Sequence, residues 1–361
     1  MIRPSSLVLG FWLALSPPAN VAAAARSDSA QHYVVINANK ISDGQRLMEE
    51  AAAAGYRLLL AGGVGGERRL VLEKSADSSG TFQYRLIGKE LQPALQQAAA
   101  EGFRFHRRSF PGFAAAERAP GPAGRYQYRV LDTLLKSNME KELNQAAREG
   151  WDLAALVGGG VALLGIGYPR GQTAVLEKSL ETPVAPREAP RAGAHTDYLL
   201  LAARRIATLQ AELTEKAAQG YRVRSGFLDG PESVYLLERK EASAELCEYL
   251  LISMGSAEKL EKALNETAVR GFHAHPEGMF FRLFPLQFEM VVLIEKTASA
   301  PARLEYRVLS SGKVEKLRNQ LAEAETQGFS VVGMIGYETI IVERALASAS
   351  RGKPLHRDKQ N

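Results

Sequence analysis

Cysteine is nearly missing from this chain: Cys247 is the only one in 361 residues. An intramolecular disulfide is therefore excluded, and Cys247 lies too far from the N-terminus to carry a lipid there. The familiar catalytic signatures are missing too. There is no Gly-x-Ser-x-Gly elbow, no His-Glu-x-x-His, and no histidine placed near Cys247 in a nucleophile pattern. No apolar run approaches the roughly 20 residues that a spanning helix needs. Nor is there a basic face. Much of the net charge of +5 sits in Arg3 and in the last residues, Arg351, Lys353, Arg357 and Lys359. A nucleic-acid partner is not expected from such a distribution.

What is present begins with a leader. Arg3 precedes an apolar stretch from Leu7 to Leu15, Pro17-Pro18 break it, and Ala22 to Ala25 offer small-residue cleavage sites. Residues 1–25 thus read as a signal peptide, and the mature protein as exported, periplasmic or extracellular, with no transmembrane segment.

The rest is a repeat. Six times a polar residue and a tyrosine open an apolar run, at Tyr33, Tyr84, Tyr128, Tyr198, Tyr249 and Tyr306. Each run leads to a helical stretch ending in glycine and an aromatic, at Gly55-Tyr56, Gly102-Phe103, Gly150-Trp151, Gly220-Tyr221, Gly271-Phe272 and Gly328-Phe329. The Tyr-to-Gly spacing is 22 residues in five copies and 18 in the second. Each copy closes on an acid–base pair: Glu73-Lys74, Glu117-Arg118, Glu177-Lys178, Glu238-Arg239, Glu295-Lys296 and Glu343-Arg344.

The tyrosine-led runs suit strands, and the middle segments have helical period, as in Val314, Leu317, Leu321 and Ala324. The glycine fits the left-handed position that ends a helix. Ser42 with Gln45, and Ser137 with Glu140, have the spacing of capping boxes. The last strand is apolar on both faces, as in Val291-Val292-Leu293-Ile294, which places it between the other two. The six acid–base pairs read as solvated strand ends. The expected class is α+β: six strand–helix–strand–strand repeats with antiparallel or mixed sheets and helices packed on one face.

Tyr126-Gln127-Tyr128-Arg129-Val130-Leu131 and Gly150-Trp151-Asp152-Leu153 resemble a small family of bacterial domains of unknown function. The resemblance extends to each of the six copies. It implies the strand–helix–strand–strand fold and brings no catalytic residues or cofactor.

Finer marks pair copy one with four, two with five and three with six. Gly55-Tyr56-Arg57 matches Gly220-Tyr221-Arg222, His106 matches His275, and Ile166-Gly167-Tyr168 matches Ile335-Gly336-Tyr337. The expected organisation is two triplets, 28–180 and 197–347, joined by a Pro/Ala-rich linker over 181–196 and followed by a basic tail over 348–361.

Two sets of residues stand out as candidate sites. Phenylalanine concentrates in the middle copies, and Phe110, Phe113, Phe280, Phe281 and Phe284 form a candidate surface for another envelope or secreted protein, or for a hydrophobic ligand. His273 and His275 stand two apart on an expected strand, as metal ligands can. The reading is an exported, non-catalytic binding or scaffold protein. The alternatives are an exported metal-binding protein and a hydrolase with an unrecognised site.

Overall fold

The computed structural model describes residues 31–346, apart from 65, 77–79, 89, 108–112, 134, 157–171, 181–195, 241–246, 284–286 and 299–302. The leader, the tail, most of the interval between copies three and four, Phe110 and Phe284 lie outside the described residues.

Six units follow one another. The first has β1 (Tyr33–Asn37), α1 (Ile41–Ala53), β2 (Tyr56–Val64) and β3 (Glu67–Lys74). The second has β4 (Gln83–Ile87), α2 (Leu91–Ala100), β5 (Arg104–Phe105) and β6 (Ala114–Arg118). The third has β7 (Tyr126–Thr133), α3 (Lys136–Arg148), β8 (Asp152–Leu156) and β9 (Gln172–Ser179). The fourth has β10 (Thr196–Ala203), α4 (Ile206–Ala218), β11 (Arg222–Asp229) and β12 (Glu232–Lys240). The fifth has β13 (Glu248–Met254), α5 (Ala257–Ala268), β14 (His273–Leu283) and β15 (Phe288–Lys296). The sixth has β16 (Leu304–Ser310), α6 (Val314–Thr326), β17 (Ser330–Ile335) and β18 (Thr339–Ala345).

Each helix ends as the repeat glycine requires. Gly55, Gly102, Gly150, Gly220, Gly271 and Gly328 have φ between 80° and 85°, where any Cβ would be strained. In the third unit Trp151 N–H returns to Ala146 O and Gly150 N–H to Ala147 O, both at 3.0 Å, the paired bonds of a Schellman turn. In units one, two, three and six the basic residue of the pair that closes the third strand completes this helix end. Lys178 Nζ donates to Glu149 O at 3.1 Å, and Arg344 Nη1 donates to Gln327 O at 2.8 Å. In all six units that cation also lies over the ring that follows the glycine. These ends are therefore built into the unit and are not merely solvated.

The helix starts differ from the capping-box expectation. α1 follows Lys40 and α3 follows Leu135, and neither N-cap makes a side-chain capping bond. Gln45 and Glu140 face the next unit instead. Ser256, at the start of α5, does cap, accepting from Lys259 N–H at 3.3 Å.

In every unit the third strand lies between the first and the second, and every pairing is antiparallel. Burial on both faces explains that order. One face of the first sheet packs Val34, Ile36, Leu70 and Leu72 on Met48 and Ala51 of α1 and on Tyr84 and Leu86 of unit two. Its other face packs Val35, Leu60 and Val71 on Leu317, Leu321 and Ile340 of unit six. Each sheet thus has its own helix on one side and the preceding unit on the other. Each fully buried Val, Leu or Ile there contributes about 1.5–3 kcal/mol.

The same relation links each unit to the next, through six hydrophobic clusters that each span two units. Because unit six packs on unit one, the chain closes into a ring. Radial closure of this kind leaves only short sheet edges to protect.

Candidate functional site

The chemistry common to all six copies lies in the junctions between units. The tyrosine that opens each unit reaches into the unit before it and accepts a hydrogen bond from a main-chain N–H three residues past that unit's glycine. The pairs are Tyr84 with Leu58 at 2.9 Å, Tyr128 with Phe105 at 2.7 Å and Tyr198 with Leu153 at 3.3 Å. They continue with Tyr249 and Val223 at 3.1 Å, Tyr306 and Ala274 at 3.0 Å, and Tyr33 and Val331 at 3.4 Å, which closes the ring. Burial pushes all six phenols up, those of Tyr198 and Tyr249 to about 12.

The glutamate of each acid–base pair sits beside its tyrosine in the sheet register. Tyr84 Oη donates to Glu117 at 2.8 Å, and Tyr128 Oη donates to Glu177 at 3.0 Å. Arg57 and Arg104, each from the preceding unit, clamp these two carboxylates at 2.7 and 2.6 Å. With side chains only 10% exposed, the two glutamates belong to the junction. In the third unit the arginine position is taken by Asp152, and Arg224 within unit four serves Glu238 instead, at 3.2 Å.

A second device covers the outer edge of each first strand. The helix residue ten positions before the glycine is polar in every copy: Gln45, Gln92, Glu140, Gln210, Glu261 and Arg318. Gln45 donates to Tyr84 O and accepts from Leu86 N–H, both at 2.8 Å. Gln210 does the same for Tyr249 O and Leu251 N–H, both at 2.7 Å. In α3 and α5 the task is divided. Glu140 takes Leu200 N–H while Asn144 takes both main-chain groups of Tyr198. Glu261 and Asn265 repeat this on Val308 and Tyr306. An unpaired strand edge is thus satisfied by side chains of its neighbour.

The residues singled out from the sequence occupy varied places. Phe113 and Phe280 are buried, the latter against Tyr235 with ring centroids 5.7 Å apart. Phe281 packs at the margin of a core cluster. Outside that set, Phe288 at the start of β15 is exposed, at 52%. His273 Nε2 lies 3.1 Å from Glu295, and its Nδ1 is buried without a partner. His275 Nδ1 accepts from Glu277 N–H at 3.3 Å. Burial raises the Glu295 carboxyl, but the His273 hydrogen bond and nearby positive groups outweigh it and hold the group below its ordinary range. Among the described residues no group of three or more His, Cys, Asp or Glu is placed to hold a metal.

A groove at the junction of units two and three has no counterpart among the features read from the sequence. It has a volume of about 980 Å³ and runs between α2 and β7. Gln96, Ala99 and Ala100 form one wall, with Tyr126, Trp151 and Leu180 opposite. Among the described residues Leu180, at 41%, is one of five large apolar residues that are exposed. Alanines on the helix, and a strand edge on which Gln92 covers Tyr128 O and Val130 N–H, leave this space. Neither feature has a local sequence signature.

Among the described residues no helix is long and apolar enough to cross a membrane. The six three-stranded units are consistent with tandem copies of one domain. Comparison with protein-family models, with curated proteins and with solved structures gives no match, and so no family is identified for that domain.

Proposed function

We propose that this is an exported, non-catalytic binding or scaffold protein, a ring made by duplicating a triplet of units. One observation carries the reading. The tyrosine that recurs in every copy is engaged in holding units together at the six junctions, and the glutamates of units two and three are clamped there as well. Such a ring is a rigid frame, and a groove on a rigid frame suits binding.

The reading has three tests. Cross-linking in intact cells, followed by gel filtration, is expected to give a stoichiometric complex with an envelope or secreted protein. Turnover on a hydrolase panel that disappears in Glu295→Gln or His273→Ala would overturn the non-catalytic part. Recovery from the periplasm or medium without residues 1–25 is expected. Retention of those residues in a cytosolic fraction would overturn export.

A further inference from the structure

The connection between units three and four is longer than its junction needs. From the basic residue of the closing pair to the next unit's tyrosine is ten residues in four connections: Lys74 to Tyr84, Arg118 to Tyr128, Arg239 to Tyr249 and Lys296 to Tyr306. From Lys178 to Tyr198 it is twenty. Yet this junction is built like the others. Tyr198 accepts from Leu153 N–H, and Asn144 holds the main chain of Tyr198. Ten residues bridge the same geometry elsewhere, so ten of this connection are surplus.

The surplus starts at the groove between α2 and β7. Leu180 lines that groove, and its N–H still bonds Arg125 O at 2.8 Å. The chain therefore leaves β9 beside residues 123–125, which line the groove as well. Charge does not select an occupant here, because the charges of the lining are engaged. Arg129 pairs with Glu149 at 2.8 Å, Glu101 pairs with Arg85, and Arg125 has a partner of its own. What is left is neutral. Among the described residues the Trp151 indole N–H, the Tyr126 hydroxyl and the side-chain amides of Gln96 and Gln127 make no hydrogen bond. Two aromatic rings with unspent donors suit a chain that offers carbonyls and few N–H groups. Proline-rich segments in the polyproline II form have that character.

We propose that the groove is covered by the chain's own segment 181–195, with Pro183-Val184-Ala185-Pro186 seated on Tyr126 and Trp151. At about 3.1 Å per residue both prolines follow within about 20 Å of Leu180. The nine residues from there to Thr196 can span about 30 Å when extended. Pro-x-x-Pro segments dock on aromatic-lined grooves in this way. The carbonyls of the segment accept from the Trp151 indole and from Gln96 and Gln127. The groove then carries its own competitor, which a partner must displace. The proposal goes beyond the binding reading and fails separately from it, since an open groove would still be free for a partner.

The test uses the full chain in a Trp12→Phe background, where Trp151 is the only tryptophan. One variant lacks residues 183–192, which restores the spacing of ten. The other, Pro183→Asp/Pro186→Asp, keeps the length and removes the stacking groups. Acrylamide quenching of Trp151 is expected to be at least twofold stronger in both than in the parent, with urea midpoints unchanged. The probe added in trans is the blocked hexapeptide Thr-Pro-Val-Ala-Pro-Arg. At millimolar concentration it is expected to protect Trp151 in both variants and to leave the parent unaffected. Should the shortened chain not fold, the aspartate variant decides by the same two readouts. Quenching that is equal in the parent and the variants overturns the proposal. So does a parent that takes the hexapeptide as readily as the variants, because its groove is then open. Protection of Trp151 in the parent that fades on dilution also overturns it, since the cover is then a second copy of the chain.

Discussion

Removing the hydroxyl of Tyr84 leaves Leu58 N–H buried without an acceptor and takes one of the donors from Glu117. An orphaned buried donor costs about 1–3 kcal/mol, and Tyr84→Phe is expected to lose that amount in urea denaturation. Tyr126→Phe, whose phenol lies outside the junction bonds, is expected to stay within about 0.5 kcal/mol of the parent. Equal effects would mean that the junction hydroxyl carries no special weight. The same phenols set a pH limit. Tyr198 and Tyr249 have pKa values raised to about 12 by burial, against about 10 in an unfolded chain. Below pH 10 both states keep the proton and the contribution is complete. Above pH 10 the unfolded chain loses protons that the folded ring retains, so stability falls until about pH 12. Each such tyrosine contributes a slope of up to about 1.4 kcal/mol per pH unit. Urea midpoints measured at pH 9, 10 and 11 check this, and a flat profile would remove the argument.

At the scale of one element, α1 offers a choice between two readings of the same residues. As a capping box, Ser42 and Gln45 would hold the helix start, and Ser42→Ala would cost about 1 kcal/mol. In the structure Gln45 instead holds Tyr84 O and Leu86 N–H of the next unit. Gln45→Ala is therefore expected to cost about 2 kcal/mol and Ser42→Ala close to nothing, both read from thermal or urea unfolding. The reversed order would restore the capping box. Much of the unit was legible because its causes are local. A glycine at φ near 80° answers to its own Cβ, and apolar residues on both faces of Val291 to Ile294 require a central strand. Gln45 was misread because its partners lie 39 and 41 residues away, and a local rule stops at three. Glu117 and Glu177 were read as solvated for the same reason, since the guanidinium groups that bury them come from another unit. The groove could not be read at all, because it is space between two elements.

For the whole molecule, the junction of units six and one differs from the other five. No connector joins its two sides directly, so it holds only through its own contacts and the rest of the ring. Arg69 is its most buried charge, 2% exposed. Its guanidinium donates to the carbonyls of Ser311 and Gly312 at the start of the last helix and lies 5.0 Å from the Tyr337 ring centroid. Burial lowers its pKa, which measures what desolvation takes back. The two charge-assisted bonds are still worth more than an apolar side chain of similar length, because without them two carbonyls at a helix entry lose their donors. Arg69→Met is expected to weaken this junction by about 2 kcal/mol. The effect should also be local. With the junction open, Val35 and Val71 on one side and Leu317 and Leu321 on the other lose their cover, while Tyr128 and its neighbours keep theirs. Hydrogen exchange should therefore quicken in β1 and α6 well before it does in α2 and β7. Uniform quickening would mean that the ring opens as one cooperative body, and an unchanged pattern would mean that Arg69 does not hold the closure.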